Sequence, residues 1–138
     1  MLDLQTAPRS ERTQPRDHLV LVVDDEPDIR ELVGRILRRA GHQVLTADNG
    51  RTALAVMEQH NPDVIVLDLA MPLMGGLQLL DSLRPEIRRR VIVATGLAQE
   101  ETAITCHQKG AGDFLAKPYS QADLLAVVTA HLNADSRK

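Results

Sequence analysis

The chain has 138 residues, 43% of them hydrophobic, which is enough to fill one core and too few for a second folded unit. Its 16 basic and 19 acidic residues leave a net charge of -3, which excludes a general attraction for nucleic acid or an anionic membrane surface. The single Cys106 cannot form an internal disulfide, and no apolar run approaches the roughly 18 residues of a membrane span or looks like a secretory core, so a cytoplasmic location is expected.

Residues 1–17 hold Arg9, Glu11, Arg12, Arg16 and two prolines with no periodic apolar pattern, and are expected to be a disordered tail. The folded domain is expected over 18–133. A first strand, Leu19–Val23, ends on Asp24 and Asp25. Pro27 suits the first turn of a helix in which Ile29, Leu32, Val33, Ile36, Leu37 and Ala40 recur at helical spacing until Gly41. The opposite face of that helix carries Arg30, Arg35, Arg38 and Arg39. A second strand at Gln43–Ala47 is followed by Asn49 and Gly50, which open a second helix. The third strand, Val64–Leu67, ends on Asp68, and the third helix is followed by Pro85. A fourth strand at 91–94 leads to Thr95, and Gly110 closes the fourth helix. The fifth strand, Asp113–Ala116, runs into Lys117; Ser120 with Asp123 forms a capping-box pattern opening a fifth helix at 121–133, and 134–138 are expected to be a C-terminal tail.

Five strands alternating with five helices imply parallel pairing through right-handed crossovers, the strands being covered on both faces: a three-layer α/β sandwich. Ligands in such open sheets bind beyond the carboxyl ends of the strands, where Asp24, Asp25, Asp68, Thr95 and Lys117 can converge. Each of these residues alone has a plainer reading: an Asp that caps a helix, a loop carboxylate, a satisfied hydroxyl, a solvated cation. Those readings must all hold independently, whereas one site accounts for every strand end. Three acids and a lysine at one edge point to phosphate chemistry.

Val-Val-Asp-Asp-Glu at 22–26, Asp-Leu-Ala-Met-Pro-Leu-Met-Gly-Gly-Leu at 68–77, Ala-Thr-Gly at 94–96 and Lys-Pro at 117–118 resemble the receiver domain of bacterial response regulators. The resemblance covers residues 18–133 without a large insertion, with its motifs in order. It implies the flavodoxin-like fold, a parallel five-stranded sheet of order 2-1-3-4-5.

The resemblance further implies that Asp68 is the phosphoacceptor of a two-component phosphorelay, attacking the phosphorus of a phosphohistidine on a sensor histidine kinase or a histidine phosphotransfer protein. Mg²⁺ would be held by Asp25 and Asp68 directly, by Asp24 through water and by the backbone carbonyl of Ala70, a set of hard oxygen donors suited to that ion. Lys117 would balance charge from a cis Lys117–Pro118 bond, and Thr95 would donate its hydroxyl to a phosphoryl oxygen. Thr95 and Phe114 would form the switch, Thr95 moving inward and Phe114, one of two aromatic residues in the chain, filling the vacated space. The output is expected through a protein-binding face formed by the fourth helix, fifth strand and fifth helix, to a downstream target protein, with no direct contact to nucleic acid or membrane. No enzyme activity beyond self-dephosphorylation is expected.

Departures from the family pattern qualify this. Ala70 and Leu97 put no polar side chain beside the phosphoryl group, so the phosphorylated form is not expected to be unusually short-lived; a decay that slows in Ala70→Asn would contradict this. The fifth helix contains no Lys or Arg, so dimerisation through the salt-bridged face of one DNA-binding subfamily is not expected. Arg88, Arg89 and Arg90 read as a solvated loop rather than a phosphate-backbone contact, and the five histidines show no metal-ligand spacing. Besides a self-contained signalling module, the chain is compatible with a receiver portion of a longer transcriptional regulator or hybrid kinase. A phosphatase of the haloacid dehalogenase type needs an acid two residues beyond its nucleophile, where this chain has Ala70.

Overall fold

The structure, a computed structural model, describes residues 18–71, 74–96 and 100–136, with side chains through Asn133. The expected tail at 1–17, the motif residues Pro72 and Leu73, and Leu97 lie outside the described residues. Five strands, β1 (Leu19–Val23), β2 (Gln43–Ala47), β3 (Val64–Leu67), β4 (Val91–Thr95) and β5 (Asp113–Ala116), form one parallel sheet of order β2-β1-β3-β4-β5. The helices are α1 (Pro27–Arg39), α2 (Gly50–His60), α3 (Gly76–Ser82), α4 (Pro85–Arg88), α5 (Glu100–Gln108) and α6 (Gln121–Ser136). This is the flavodoxin-like arrangement, with the reversal of strand order beside β1.

Strand alternation divides the core into two halves. Leu21, Val23, Ile65, Leu67, Val91 and Val93 face α2, α3 and α5, meeting Ala53, Leu79, Leu80 and Cys106. Val20, Val22, Val64, Val66, Ile92 and Ala94 face α1 and α6, meeting Val33, Leu37, Leu124, Val128 and Leu132. Strands β1 and β3 are therefore apolar at every position because both faces are covered. Full burial of each aliphatic side chain contributes about 1.5–3 kcal/mol.

The helix boundaries follow from local chemistry. Pro27 lies in the first turn of α1, and Gly41 follows its end at φ 97°, a backbone conformation that L side chains rarely adopt. The Asn49 side chain accepts from the Thr52 N–H at 3.0 Å to start α2. At α6 the Asp123 N–H donates to Ser120 Oγ at 3.0 Å while Ser120 N–H reaches back to Asp123 Oδ2 at 3.5 Å.

Three details differ from the expected alternation. There is an additional four-residue helix, α4, with Pro85 in its first turn, because a single turn is too short to leave a periodic apolar signal. Strand β4 extends through Thr95, and α6 continues to Ser136. The arginine run at 88–90, which begins in the last residue of α4, is also only partly a solvated loop. Arg88 donates to the backbone carbonyls of Leu83, Lys109 and Asp81, and Arg90 to Asn61 Oδ1 and Pro62 O, so these side chains staple loops together. Burial raises the pKa of the Cys106 thiol against the opposing charge of Lys109, which leaves it a small core hydrophobe. Among the described residues no helix is long and apolar enough to cross a membrane.

Candidate functional site

Strands β1, β3, β4 and β5 all end on the same edge of the sheet, and this brings together residues separated by up to 93 positions. Asp24 and Asp68 are 4% and 5% exposed. The Lys117 ammonium bridges them, donating to Asp24 Oδ2 at 2.9 Å and to Asp68 Oδ2 at 3.2 Å. The Ala70 N–H donates to Asp68 Oδ1 at 3.2 Å, and the Glu26 N–H to Asp24 Oδ1 at 3.0 Å. Asp24 thus braces the turn leading into α1 through the Glu26 N–H and also lines the acidic cluster. It is not the helix cap, since Glu26 holds the N-cap position of α1 and no side chain caps that helix.

Carboxylate oxygens of Asp24, Asp25, Glu26 and Asp68 all lie within 4.8 Å of one another. Two carboxylates about 4 Å apart repel by roughly 4 kcal/mol at an effective dielectric near 20, so four such groups form an arrangement that invites a cation. Hard oxygen donors crowded in this way could hold a hard divalent ion. Burial alone would pull the Lys117 pKa down, but the hydrogen bond and charge of Asp24, together with those of Asp68, hold it above the ordinary lysine value. Its contribution to stability is therefore present throughout the neutral range and is lost only as pH climbs past the ordinary lysine pKa and through the raised one.

Thr95 is completely buried at the end of β4, and its carbonyl accepts the Lys117 N–H at 2.9 Å, which ties the lysine's backbone to the threonine's strand. The Lys117–Pro118 bond is cis. In the β4–β5 register Val93 pairs with Phe114 and Thr95 with Ala116, so Thr95 and Phe114 lie on the same sheet face two positions apart. Phe114 is half-buried against the α2/α3/α5 half of the core and borders a cavity of about 150 Å³ lined also by Ala103, Cys106 and His107. Gly76 packs tightly against the backbone that follows β3: a Cβ there would lie 2.5 Å from Leu69 Cα and 2.6 Å from the Asp68 carbonyl oxygen.

The scan against protein families finds one match, the response regulator receiver domain, over residues 20–129. The chain belongs to this family. Among its relatives are the regulatory protein AtoC of Escherichia coli K12, 36% identical over 120 residues, and the transcriptional regulatory protein KdpE of Mycobacterium tuberculosis H37Rv, 38% identical over 112 residues. These alignments cover 86% and 81% of this chain but only 26% and 50% of the relatives, so the chain spans between a quarter and a half of their lengths. The receiver domain of the Francisella response regulator 1452 superimposes with a TM-score of 0.81 at 31% identity, covering 86% of this chain and 99% of that one.

Of the receiver residues expected from the sequence, Asp24, Asp68 and Lys117 are in direct hydrogen-bond contact, and Asp25 is in the acidic cluster. Thr95 is joined through its backbone, and Ala70 meets Asp68 through its N–H, whereas the expectation for it concerned the carbonyl. Glu26 was not anticipated, although it is the third acid of the 24–26 run; helix-turn geometry, which the bare sequence does not express, brings it to the cluster.

The crowding has a measurable consequence. Asp25→Asn removes one charge from the cluster without touching the Lys117 bridge, so it should raise metal-free stability by roughly 1 kcal/mol while reducing stabilisation by Mg²⁺. Thermal melts with and without Mg²⁺ check this. Equal destabilisation in both conditions would assign Asp25 a purely structural role.

Proposed function

We propose that Asp68 accepts a phosphoryl group from a phosphohistidine, making this receiver the phosphoacceptor of a two-component phosphorelay. The observation that carries the reading is the Lys117 ammonium shared between Asp24 and Asp68 at the edge of an acidic cluster. A carboxylate oxygen of Asp68 attacks phosphorus, the P–N bond breaks, and the donor imidazole leaves with the electron pair, giving an aspartyl phosphate; ionised carboxylate needs no base for this. Lys117 offsets charge on the phosphoryl oxygens, and the Thr95 hydroxyl donates to one of them. Asp24, Asp25, Asp68 and the Ala70 carbonyl would hold Mg²⁺, which would supply charge neutralisation for the transferring group. The chain acts as an acceptor and signal carrier rather than a turnover enzyme. Incubation with acetyl phosphate and Mg²⁺ should add the mass of one phosphoryl group, and a chelator should prevent it; no gain in either condition would point to a receiver that signals without phosphorylation.

The donor's docking surface is the apolar groove of about 530 Å³ between α1 and the β5–α6 turn, lined by Ile29, Leu32, Ile36, Lys117, Pro118 and Tyr119. Its continuity with Lys117 supports this reading, as does Leu32, which stands 50% exposed on its rim. Leu32→Glu should slow transfer from a phosphohistidine protein about tenfold and leave labelling by acetyl phosphate unchanged. Parallel loss with both donors would contradict the assignment.

Phosphorylation biases a two-state equilibrium in which Thr95 is drawn toward the phosphoryl group and Phe114 occupies the space released, reshaping the α5/β5/α6 surface that meets the target protein. The shared sheet face and the cavity beside Phe114 support it. Because Phe114 is the sole phenylalanine, its ring resonances can be followed by NMR. Phosphorylation should shift them in the parent protein, and Thr95→Ala should abolish the shift while still accepting phosphate. An unchanged shift in the variant would remove Thr95 from the coupling.

A second reading, a receiver portion of a longer transcriptional regulator or hybrid kinase, is favoured by the partial coverage of the relatives. It leaves the chemistry at Asp68 the same.

A further inference from the structure

The four arginines on α1 are not equivalent. Arg35 pairs with Glu31 at 3.1 Å on the surface, Arg38 lies back across Gly34, and these two and Arg39 are exposed. Arg30 alone is part-buried, turned toward the site, with its Nη1 donating to the backbone oxygen of Asp24 at 2.8 Å.

That oxygen lies in the turn between β1 and α1, ahead of the helical ladder, whose first bond here runs from Arg30 N–H to Glu26 O at 2.9 Å. A peptide unit is planar, so fixing the carbonyl of Asp24 fixes the plane joining it to Asp25 and with it the positions of the Asp25 N and Cα, from which the Asp25 side chain starts. The other handles on Asp24 are already engaged: its N–H donates to Ala47 O at 3.1 Å, and its carboxylate accepts from Glu26 N–H and from Lys117. Arg30 supplies the remaining constraint on this unit.

We propose that Arg30 is a positioning residue for the divalent-cation site, clamping the Asp24 peptide so that Asp24, Asp25 and Glu26 converge with Asp68. The inference rests on the metal-dependent acceptor reading above. It makes a prediction whose sign separates it from simple electrostatics. A guanidinium acting only as a nearby positive charge repels a divalent cation, so its removal would tighten binding. A guanidinium that holds ligands in place favours the ion, and losing an outer contact of that kind typically weakens metal affinity about 10- to 100-fold.

Tyr119 offers a direct readout. It is the sole tyrosine in a chain without tryptophan, and its phenol pKa is raised by burial, opposed by Lys117 and reinforced by Asp24 and Asp68, so it senses the charges of the pocket. Mg²⁺ alone is titrated into the parent protein, Arg30→Gln and Arg30→Lys, following Tyr119 fluorescence and calorimetric heat, with metal-free melts measured in parallel. The expected result is an affinity about tenfold weaker in Arg30→Gln, largely regained in Arg30→Lys, with metal-free melts nearly unchanged. Equal or tighter binding by Arg30→Gln overturns the proposal, as does a loss that follows a matching fall in metal-free stability. Absence of Mg²⁺ binding by the parent protein would instead overturn the metal reading on which the inference stands.

Discussion

Asp68→Asn is expected to abolish phosphoryl uptake, by at least about a thousandfold, from acetyl phosphate and from phosphohistidine donors alike. An amide oxygen is a poor nucleophile toward phosphorus, and the loss should be complete if none of the neighbouring carboxylates of Asp24, Asp25 and Glu26 takes over the attack. The variant should nevertheless fold. It removes one of two nearly buried carboxylates facing each other across a single ammonium, while the Asp24–Lys117 contact at 2.9 Å remains. Metal-free stability should therefore hold or rise, and loss of labelling in a protein that melts at or above the parent temperature identifies a chemical defect. Intact-mass kinetics alongside thermal melts make the check, and residual labelling near the parent rate would place the acceptor elsewhere.

Lys117→Met should act in the opposite sense on stability. Methionine keeps an unbranched apolar stem but withdraws the charge lying between Asp24 and Asp68, which are only 4% and 5% exposed. Removing one partner of a buried ionic cluster costs about 3–5 kcal/mol when the remaining charges are left uncompensated. The Lys117 side chain is 20% exposed and the pocket opens to solvent at Ala70, so screening reduces this to about 1–3 kcal/mol, or roughly 5–10 °C in melting temperature for a domain of this size. Mg²⁺ should restore most of the loss, because a divalent ion can compensate the same carboxylates. Phosphoryl uptake should stay strongly impaired even in saturating Mg²⁺, since the ion does not replace the cation on the phosphoryl side. A melt equal to that of the parent without metal would show that the two carboxylates do not depend on Lys117.

The fold was legible because its signals are periodic and local. The runs at Leu19–Val23 and Val64–Leu67 are apolar at every position, which suits strands covered on both faces, and the spacing from Ile29 to Leu37 describes one side of α1. Helix α4 leaves no such signal, because one turn begun by Pro85 has no period to detect. At the site, Asp24, Asp68 and Lys117 could be placed together because each follows a strand, and parallel strands align their carboxyl ends on one edge. The contributions of Arg30, Arg88 and Arg90 were not legible. Each donates to a backbone carbonyl whose position depends on the path of a turn, and a side chain's choice between solvent and such a carbonyl leaves no trace in spacing or composition. The α1 arginines read alike in sequence, and only the geometry separates Arg30 from its solvent-facing neighbours.

The central claim is that a single aspartyl oxygen, set among acids and one lysine from distant parts of the chain, is transiently phosphorylated. Borohydride reduces an aspartyl phosphate to homoserine, so treating the protein with acetyl phosphate and Mg²⁺, reducing it, and sequencing its peptides by mass spectrometry reads the acceptor directly. Homoserine at position 68 and at no other position is the predicted result. Homoserine at 24 or 25, or none at all in a protein that binds Mg²⁺, would contradict it.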